Sequence, residues 1–287
     1  MKWQIPAKTF LVGEYAALIQ APAIILTTKP CFELTLEIKE HSLVHPASPA
    51  GLFWLKYKKS LNQLHWFDPY KGCGGLGASS AQFIGAYLAL CYLENKPLDG
   101  HDLLNAYYEH AWNGQGVKPS GYDIIAQAQR GCVYIDRLTK TIHCYDWVFK
   151  DISFILLHTG SKVATHCHLQ EVKLPSRLTS LKSIVENAQL VFQQGDSHKL
   201  ITVINSYQQE LIALNLVAPT TLELLKFFKA DPNILTVKGC GALGMDILLL
   251  IVARDKLVSI VNTLKKDWLV LATSEELYDG EKLFEIM

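Results

Sequence analysis

The sequence has no excess of charge of either sign, because its 27 Lys and Arg residues balance its 27 Asp and Glu residues. It also contains no long block of like charge, so no basic field indicates nucleic-acid binding. Its longest purely apolar run in the C-terminal half, residues 247–253, is far too short to cross a bilayer. We therefore expect neither nucleic acid nor a membrane as a partner, and an anionic ligand would be held by local groups.

Cysteine pairs with metal-ligand spacing are also missing. The chain has seven cysteines, an odd number, and none belongs to a CxxC pair, which suits reduced thiols better than a disulfide framework. The N-terminal MKWQIPAKTF lacks the apolar centre of a signal peptide, so we expect a cytoplasmic protein. The His166-Cys167-His168 triplet has no partner cluster in the sequence, and we do not expect it to bind a metal.

The order of predicted elements is typical of an α+β protein with two domains. Strands predominate in the first third, including candidates at 23–38 and 51–57, and helices are predicted at 81–95 and 102–114. Three more strand candidates lead to a mostly helical stretch at 175–230, after which strands and one helix return. We predict domains at 1–150 and 151–287.

The segment KGCGGLGASSAQF, residues 71–83, places four glycines directly before a predicted helix. Glycine permits positive φ and close approach of a ligand, and the free N–H groups of a helix start favour an anion. Ser79 and Ser80 can cap the helix or offer hydroxyls to a phosphate or Mg²⁺. The segment is neither a Walker A loop nor a Rossmann turn. Taken alone, it is compatible with a packed turn or with a phosphate cradle.

Three further segments carry candidate chemistry. In GVKPSGYD a tight loop delivers Asp123, which could orient or deprotonate a substrate hydroxyl or cap the next helix. In PAKTFLVGEYAAL, Lys8 lies in an apolar strand and must reach an anion, an acid or solvent. The segment VKGCGALGMD is either a plain hairpin connection or a loop that lets another segment approach closely.

In this order, the segments resemble the motifs of the GHMP small-molecule kinases, named for galactokinase, homoserine kinase, mevalonate kinase and phosphomevalonate kinase. PAKTFLVGEYAAL resembles the first motif, GLGASSA the ATP-binding second motif and GCGALGMD the third, over residues 6–252. The resemblance implies an N-terminal mixed β-sheet domain and a C-terminal ferredoxin-like α/β sandwich, with the active site in the cleft between them. It also implies ATP and Mg²⁺ as cofactors.

The resemblance implies a role for each matching residue. Asp123 corresponds to the catalytic aspartate, and Lys8 to the lysine that pairs with it and touches the transferred phosphoryl group. The implied ATP-binding residues are Gly72, Gly74, Gly75, Leu76, Gly77, Ala78, Ser79 and Ser80. Ser79 and Glu14 are the implied Mg²⁺ contacts, with Ser80 as the alternative to Ser79 and support of Lys8 as the alternative role of Glu14. The implied substrate residues are Glu14, Tyr15, Lys118, Ser120, Gly121 and Gly241, with Lys71 and Lys162 as further lysines beside the motifs.

Within the family, Gly13-Glu14-Tyr15, EHAWNGQGVKPSGYD and HTGSKVAT are similar to segments of phosphomevalonate kinases. Pro119 before Ser-Gly and the short chain instead favour other members, such as mevalonate kinases. The implied function is ATP-dependent phosphorylation of phosphomevalonate in isoprenoid synthesis, with mevalonate kinase or another small-alcohol kinase as the alternative. Two further alternatives are a homologue that binds nucleotide without turnover and the related decarboxylase. The partner would be a small anionic alcohol or phosphate ester, and the chain a monomer or homodimer.

Overall fold

The computed structural model describes residues 1–38, 44–160 and 177–283 of the 287-residue chain. This part of the chain forms two antiparallel sheets and eight α-helices, which confirms the predicted α+β class. No helix within it is both long and apolar enough to cross a membrane.

The first sheet has five strands in the order β1-β2-β4-β5, with β3 paired to β2. These are β1 (Lys2–Val12), β2 (Ala23–Leu36), β3 (Leu64–Phe67), β4 (Cys132–Asp136) and β5 (Thr141–Tyr145). Every pairing among them is antiparallel, so the expectation of a mixed sheet is wrong for the described strands. The connection from β4 to β5, residues 137–140, is short, and such connections favour antiparallel neighbours.

Four helices lie between β2 and β4 in the part of the chain that the structure describes. They are α1 (Pro49–Lys56), α2 (Ala78–Glu94), α3 (Gly100–Ala111) and α4 (Tyr122–Gln127). The helix α2 is buried on most of its surface, as its apolar sequence predicts, and it packs against β1, β2 and the other three helices. This central position places the N-terminus of α2, with the glycines before it, beside β1.

The strand predicted at 51–57 is instead part of α1. Ser48 caps this helix, because its hydroxyl accepts a hydrogen bond from the Gly51 N–H at 3.1 Å, and Pro49 occupies the first turn. The helix buries Phe53 and Trp54 against the core. The aromatic residues favoured a strand in the sequence analysis. Ser48 and Pro49 instead start a helix, and the packing of Phe53 and Trp54 stabilises it.

The second sheet has the strand order β7-β8-β6-β9, with all its pairings antiparallel. Its strands are β6 (Ile152–His158), β7 (Ile234–Cys240), β8 (Ile247–Ala253) and β9 (Val270–Thr273). Among the described residues, the helices between β6 and β7 are α5 (Thr179–Gln194), α6 (Ser197–Ala213) and α7 (Pro219–Lys229), and α8 (Leu257–Leu264) lies between β8 and β9.

The two sheets share one large cluster of buried apolar side chains. Ile5 of the first sheet and Phe154 and Leu249 of the second all belong to it. A smaller cluster, with Leu225 and Phe228 of α7, lies on the other face of the second sheet. The predicted boundary at residue 150 falls between β5 and β6, and the division into two domains stays a prediction.

Candidate active site

The glycine loop, residues 72–77, connects β3 to α2 and lies against β1. The Leu76 carbonyl accepts a hydrogen bond from the Lys8 N–H at 2.9 Å. Gly77 has a φ of 80° and caps α2, and a Cβ built on it would lie only 2.8 Å from Lys8 Cγ. Glycine is therefore required where the loop passes the Lys8 side chain, and the start of α2 is left free of side chains there.

Asp68 holds the beginning of this loop, a role that the sequence analysis did not find. One carboxylate oxygen accepts from the Tyr70 N–H and the other from the Gly72 N–H, both at 2.8 Å. An Asp that bonds backbone N–H groups two and four residues ahead is a recognisable turn signal. Lys71, the predicted neighbour of the motif, is exposed at the same turn.

Ser79 and Ser80 begin α2 but lie in different surroundings. The Ser80 side chain is buried, and its hydroxyl lies 2.6 Å from Gln127 Oε1 and 2.9 Å from the Gly77 carbonyl oxygen. Ser79 is exposed in the first turn of the helix. The Ser80 hydroxyl is thus engaged in contacts within the protein, whereas the Ser79 hydroxyl faces solvent beside the glycine loop.

Lys8 and Asp123 form an ion pair, with Lys8 Nζ 2.9 Å from Asp123 Oδ1. The Lys8 side chain is only 9% exposed, while that of Asp123 is 35% exposed. Lys8 comes from β1, and Asp123 from the first turn of α4. The pair therefore brings together two residues predicted from separate motifs, with the carboxylate open to an incoming group.

Contacts with α3 fix the loop that precedes Asp123. The Ser120 carbonyl accepts from the Tyr108 hydroxyl at 2.8 Å and from Arg137 Nη1 at 2.9 Å. Gly121 has a φ of 78°, and a Cβ there would lie 2.4 Å from the Tyr108 hydroxyl oxygen. Lys118 Nζ lies 3.9 Å from the centre of the Tyr108 ring, which is cation–π geometry. The predicted substrate residues of this loop thus lie together beside Asp123.

Gln127 is a further residue that the sequence analysis missed. It is fully buried at the end of α4, and its amide bonds to the Pro6 carbonyl at 2.8 Å and to the Gly77 carbonyl at 3.1 Å. Its side chain therefore lies between β1 and the glycine loop. No local pattern marks it, because its partners are distant in the sequence.

The loop between β7 and β8, residues 241–246, closes the other side of the glycine loop. A Cβ on Gly75 would lie 2.7 Å from the Asp246 Cβ, and one on Gly241 would lie 2.4 Å from Asp246 Oδ2. The Leu243 N–H donates to the Tyr15 hydroxyl at 2.9 Å. Burial raises the pKa of Tyr15 to about 12, so this hydroxyl stays protonated at neutral pH.

Glu14 is buried below the site rather than exposed in it. Glu14 Oε1 forms an ion pair with Lys238 of β7, and its backbone carbonyl accepts from the Tyr207 hydroxyl at 2.6 Å. Burial raises the pKa of the Glu14 carboxyl, and the Lys238 ammonium opposes that rise. Lys8 acts in the same direction as Lys238, but more weakly. These contacts engage Glu14 with Lys238 and Tyr207, and both predicted roles of Glu14, contact with Mg²⁺ and support of Lys8, stay predictions.

The described residues do not hold a metal centre made by the protein alone. In the described ranges, no three or more His, Cys, Asp or Glu side chains are grouped so that they could hold one ion. Mg²⁺ in nucleotide sites takes few protein ligands and several phosphate oxygens, and the exposed Ser79 hydroxyl beside the glycine loop is compatible with that arrangement. The predicted Lys162 and the His166-Cys167-His168 triplet lie outside the described residues.

Comparison with known proteins connects this geometry to a fold. No protein-family model and no curated protein sequence matches the chain. Solved structures do match, and mevalonate kinase, phosphomevalonate kinase and galactokinase are among them. The chain therefore has the fold of the GHMP kinases, as the sequence motifs predicted.

Three solved structures illustrate the similarity. Streptococcus pneumoniae phosphomevalonate kinase, in complex with phosphomevalonate and AMPPNP, has a TM-score of 0.73 at 17% identity over 95% of this chain and 99% of that one. Methanococcus jannaschii mevalonate kinase has a TM-score of 0.71 at 14% identity, over 97% and 98%. Lactococcus lactis galactokinase, in complex with galactose, has a TM-score of 0.72 at 11% identity, over 98% and 95%.

Proposed function

We propose that this chain is an ATP-dependent kinase that phosphorylates a small acidic alcohol or its monophosphate. The observation that carries the proposal is the ion pair between Lys8 and Asp123, 2.9 Å long, beside a glycine loop at the start of a helix. Helix starts and glycine-rich backbone favour phosphate, and phosphoryl transfer requires mainly positioning and charge neutralisation. The similarity to kinases of known structure supports the same reading.

Each residue has a defined task in this proposal. Backbone N–H groups of residues 74–78 bind the nucleotide phosphates, because the Gly72 N–H donates to Asp68 and the Cys73 N–H donates to the Tyr70 carbonyl. Asp123 orients the acceptor hydroxyl and takes its proton, since its carboxylate is partly exposed. Lys8 pairs with the Asp123 carboxylate and offsets negative charge on the transferred phosphoryl group. Mg²⁺, which the Ser79 hydroxyl would help to hold, supplies further neutralisation of phosphate charge when it is bound.

The proposal extends to the architecture of the chain. In chain order the second sheet and its helices follow a β-α-β-β-α-β pattern, and the strand order β7-β8-β6-β9 supports a ferredoxin-like unit. Residues 1–150 would form the nucleotide-binding domain, and 151–287 the second domain. The contact of Gly75 with Asp246 supports a site in the cleft where the two units meet.

Phosphomevalonate is the acceptor that we propose first, because Gly13-Glu14-Tyr15 and the segment that ends at Asp123 are similar to those of phosphomevalonate kinases. Mevalonate is the second candidate, since Pro119 before Ser-Gly favours mevalonate kinases. Lys118 on the loop before Asp123 would contact the anionic group of either acceptor, since it lies against Tyr108 and is exposed.

An assay of ADP release with mevalonate, phosphomevalonate, homoserine and hexoses tests the function. We expect release with phosphomevalonate that depends on Mg²⁺ and is lost in Asp123→Asn. Activity with unphosphorylated mevalonate alone would contradict the choice of acceptor but keep the kinase. Tight ADP binding without turnover on any acceptor would favour a non-catalytic homologue, and release of CO₂ would indicate the related decarboxylase.

A further inference from the structure

Gln127 lies on α4 and connects this helix to β1, to the glycine loop and to the first turn of α2. It lies one helical turn after Asp123 on α4, and its side chain is fully buried. Its Nε2 donates to the Pro6 carbonyl at 2.8 Å and to the Gly77 carbonyl at 3.1 Å, and its Oε1 accepts from the Ser80 hydroxyl at 2.6 Å. Both donors and the acceptor of the amide are therefore used.

The partners of this amide are next to the residues that act in the proposed reaction. Pro6 precedes Lys8 on β1 by two residues, and the pairing of β1 with β2 is irregular between Ile5 and Ala7. The Pro6 carbonyl thus lies at a break in the regular ladder, and Gln127 supplies its donor. Gly77 is the last residue of the glycine loop, and Ser80 lies in the first turn of α2.

We propose that Gln127 is a positioning residue that holds β1, the glycine loop and α4 at one fixed separation. This assignment rests on the proposed kinase function, in which Lys8, the loop and Asp123 act on the same phosphoryl group. Gln127 touches none of the reacting atoms. It keeps the strand of Lys8 and the phosphate-binding backbone in register with the helix of Asp123, where a shift of about 1 Å can cost about 100-fold in rate.

An amide makes three contacts at this position. It donates to the Pro6 carbonyl and to the Gly77 carbonyl, which also accepts from the Ala81 N–H at 2.9 Å, and it accepts from the Ser80 hydroxyl. Neither a carboxylate nor a thioether of similar size can make all three contacts. Buried polar groups without partners are costly, and backbone segments then move to find other partners. Loss of the amide therefore changes the separation of the three segments rather than the identity of any reacting group.

The variants Gln127→Met and Gln127→Asn test the proposal. The first keeps the length and removes the polar atoms, and the second keeps the amide and shortens its reach by one methylene. For both variants we expect kcat to fall about 10- to 100-fold, while the acceptor KM changes less than about threefold. We also expect the affinity for ADP, measured by calorimetry, to fall because the Gly77 carbonyl and the loop shift.

Gln129→Met is the matched control. Gln129 is also fully buried and two residues further on, and its side-chain oxygen accepts from the thiol of Cys144, on β5, at 3.7 Å. Urea unfolding of all variants separates loss of stability from loss of alignment. If Gln127→Met does not fold, Gln127→Asn still tests the alignment, because it keeps the polar group in the core.

The outcomes distinguish this proposal from the proposed function. A kcat and ADP affinity within twofold of the wild type in either folded Gln127 variant would overturn the positioning role. The positioning role is also overturned if Gln129→Met loses as much kcat as Gln127→Met. If the wild type binds ADP without turnover, the affinities of the variants for ADP alone decide the role of Gln127. A wild-type chain that neither binds nor releases ADP overturns the kinase and, with it, this assignment.

Discussion

Two lysine–carboxylate pairs are built on β1 and the turn after it, and they differ in what solvent can reach. In the exposed pair, Lys8 and Asp123, the carboxylate side chain is 35% exposed. In the buried pair, Glu14 and Lys238, the side chains are 6% and 0% exposed. A lysine–carboxylate pair thus occurs once with its carboxylate open to solvent and once in the protein interior.

The difference separates a pair that can act on a ligand from one that holds the protein together. A partly exposed carboxylate can meet a substrate hydroxyl, whereas a buried one cannot. The buried pair joins the first sheet region to β7, and each member is needed to offset the desolvation of the other. Changes in the exposed pair should therefore appear in turnover, and changes in the buried pair in the free energy of unfolding.

Asp123→Asn has the largest expected effect. The amide cannot take a proton from the acceptor hydroxyl, so we expect kcat to fall by roughly 10²- to 10⁴-fold. The affinity for ADP should change less than about threefold, since the phosphates are bound by backbone elsewhere. Steady-state kinetics and ADP titration measure the two quantities. Retention of more than about one tenth of the wild-type kcat would place the catalytic base elsewhere.

Lys238→Met tests the buried pair. It leaves the Glu14 carboxylate buried without its cation, so we expect the free energy of unfolding to fall by about 3–5 kcal/mol. The double variant Lys238→Met with Glu14→Gln removes that uncompensated charge and should recover part of the loss. Urea denaturation measures both variants. If the single variant is as stable as the double one, the pair does not hold the two sheets together.

The sequence predicted the exposed pair and missed the buried pair for a physical reason. Lys8 and Asp123 each belong to a local pattern, an apolar strand and a tight turn, and the resemblance to the GHMP kinases implies their pairing. Lys238 and Glu14 are 224 positions apart, and neither has a local signal for the other. Their contact depends on how the two sheets pack, which no local pattern encodes.

The same limit applies to the fold and to the rest of the site. The helix α2 was predictable because its apolar residues extend over several turns, whereas α1 was mistaken for a strand because its aromatic content outweighed the Ser48-Pro49 start signal. Gln127 was missed since its carbonyl partners lie up to 121 positions away. Elements with a long pattern are predictable, and contacts between them are not.

Ser79 and Ser80 are adjacent, but Ser79 is exposed and Ser80 is buried. Substitution of these serines has the smallest expected effect. Ser80→Ala leaves Gln127 Oε1 without its hydroxyl donor in a buried place, so we expect the free energy of unfolding to fall by about 1 kcal/mol. Ser79→Ala removes an exposed hydroxyl and should change stability by less than about 0.5 kcal/mol. Thermal unfolding of both variants measures this difference.

Nucleotide binding gives the opposite order for the two serines. If Ser79 helps to hold Mg²⁺, then Ser79→Ala should raise the Mg²⁺ concentration needed for half-maximal turnover, because Ser79 is exposed in the first turn of α2, directly after the glycine loop. Ser80→Ala should leave that concentration nearly unchanged, since its hydroxyl is bonded inside the protein. The reverse result, with Mg²⁺ dependence changed only in Ser80→Ala, would assign the metal contact to the buried serine. It would also show that exposure does not separate ligand-binding groups from structural ones in this site.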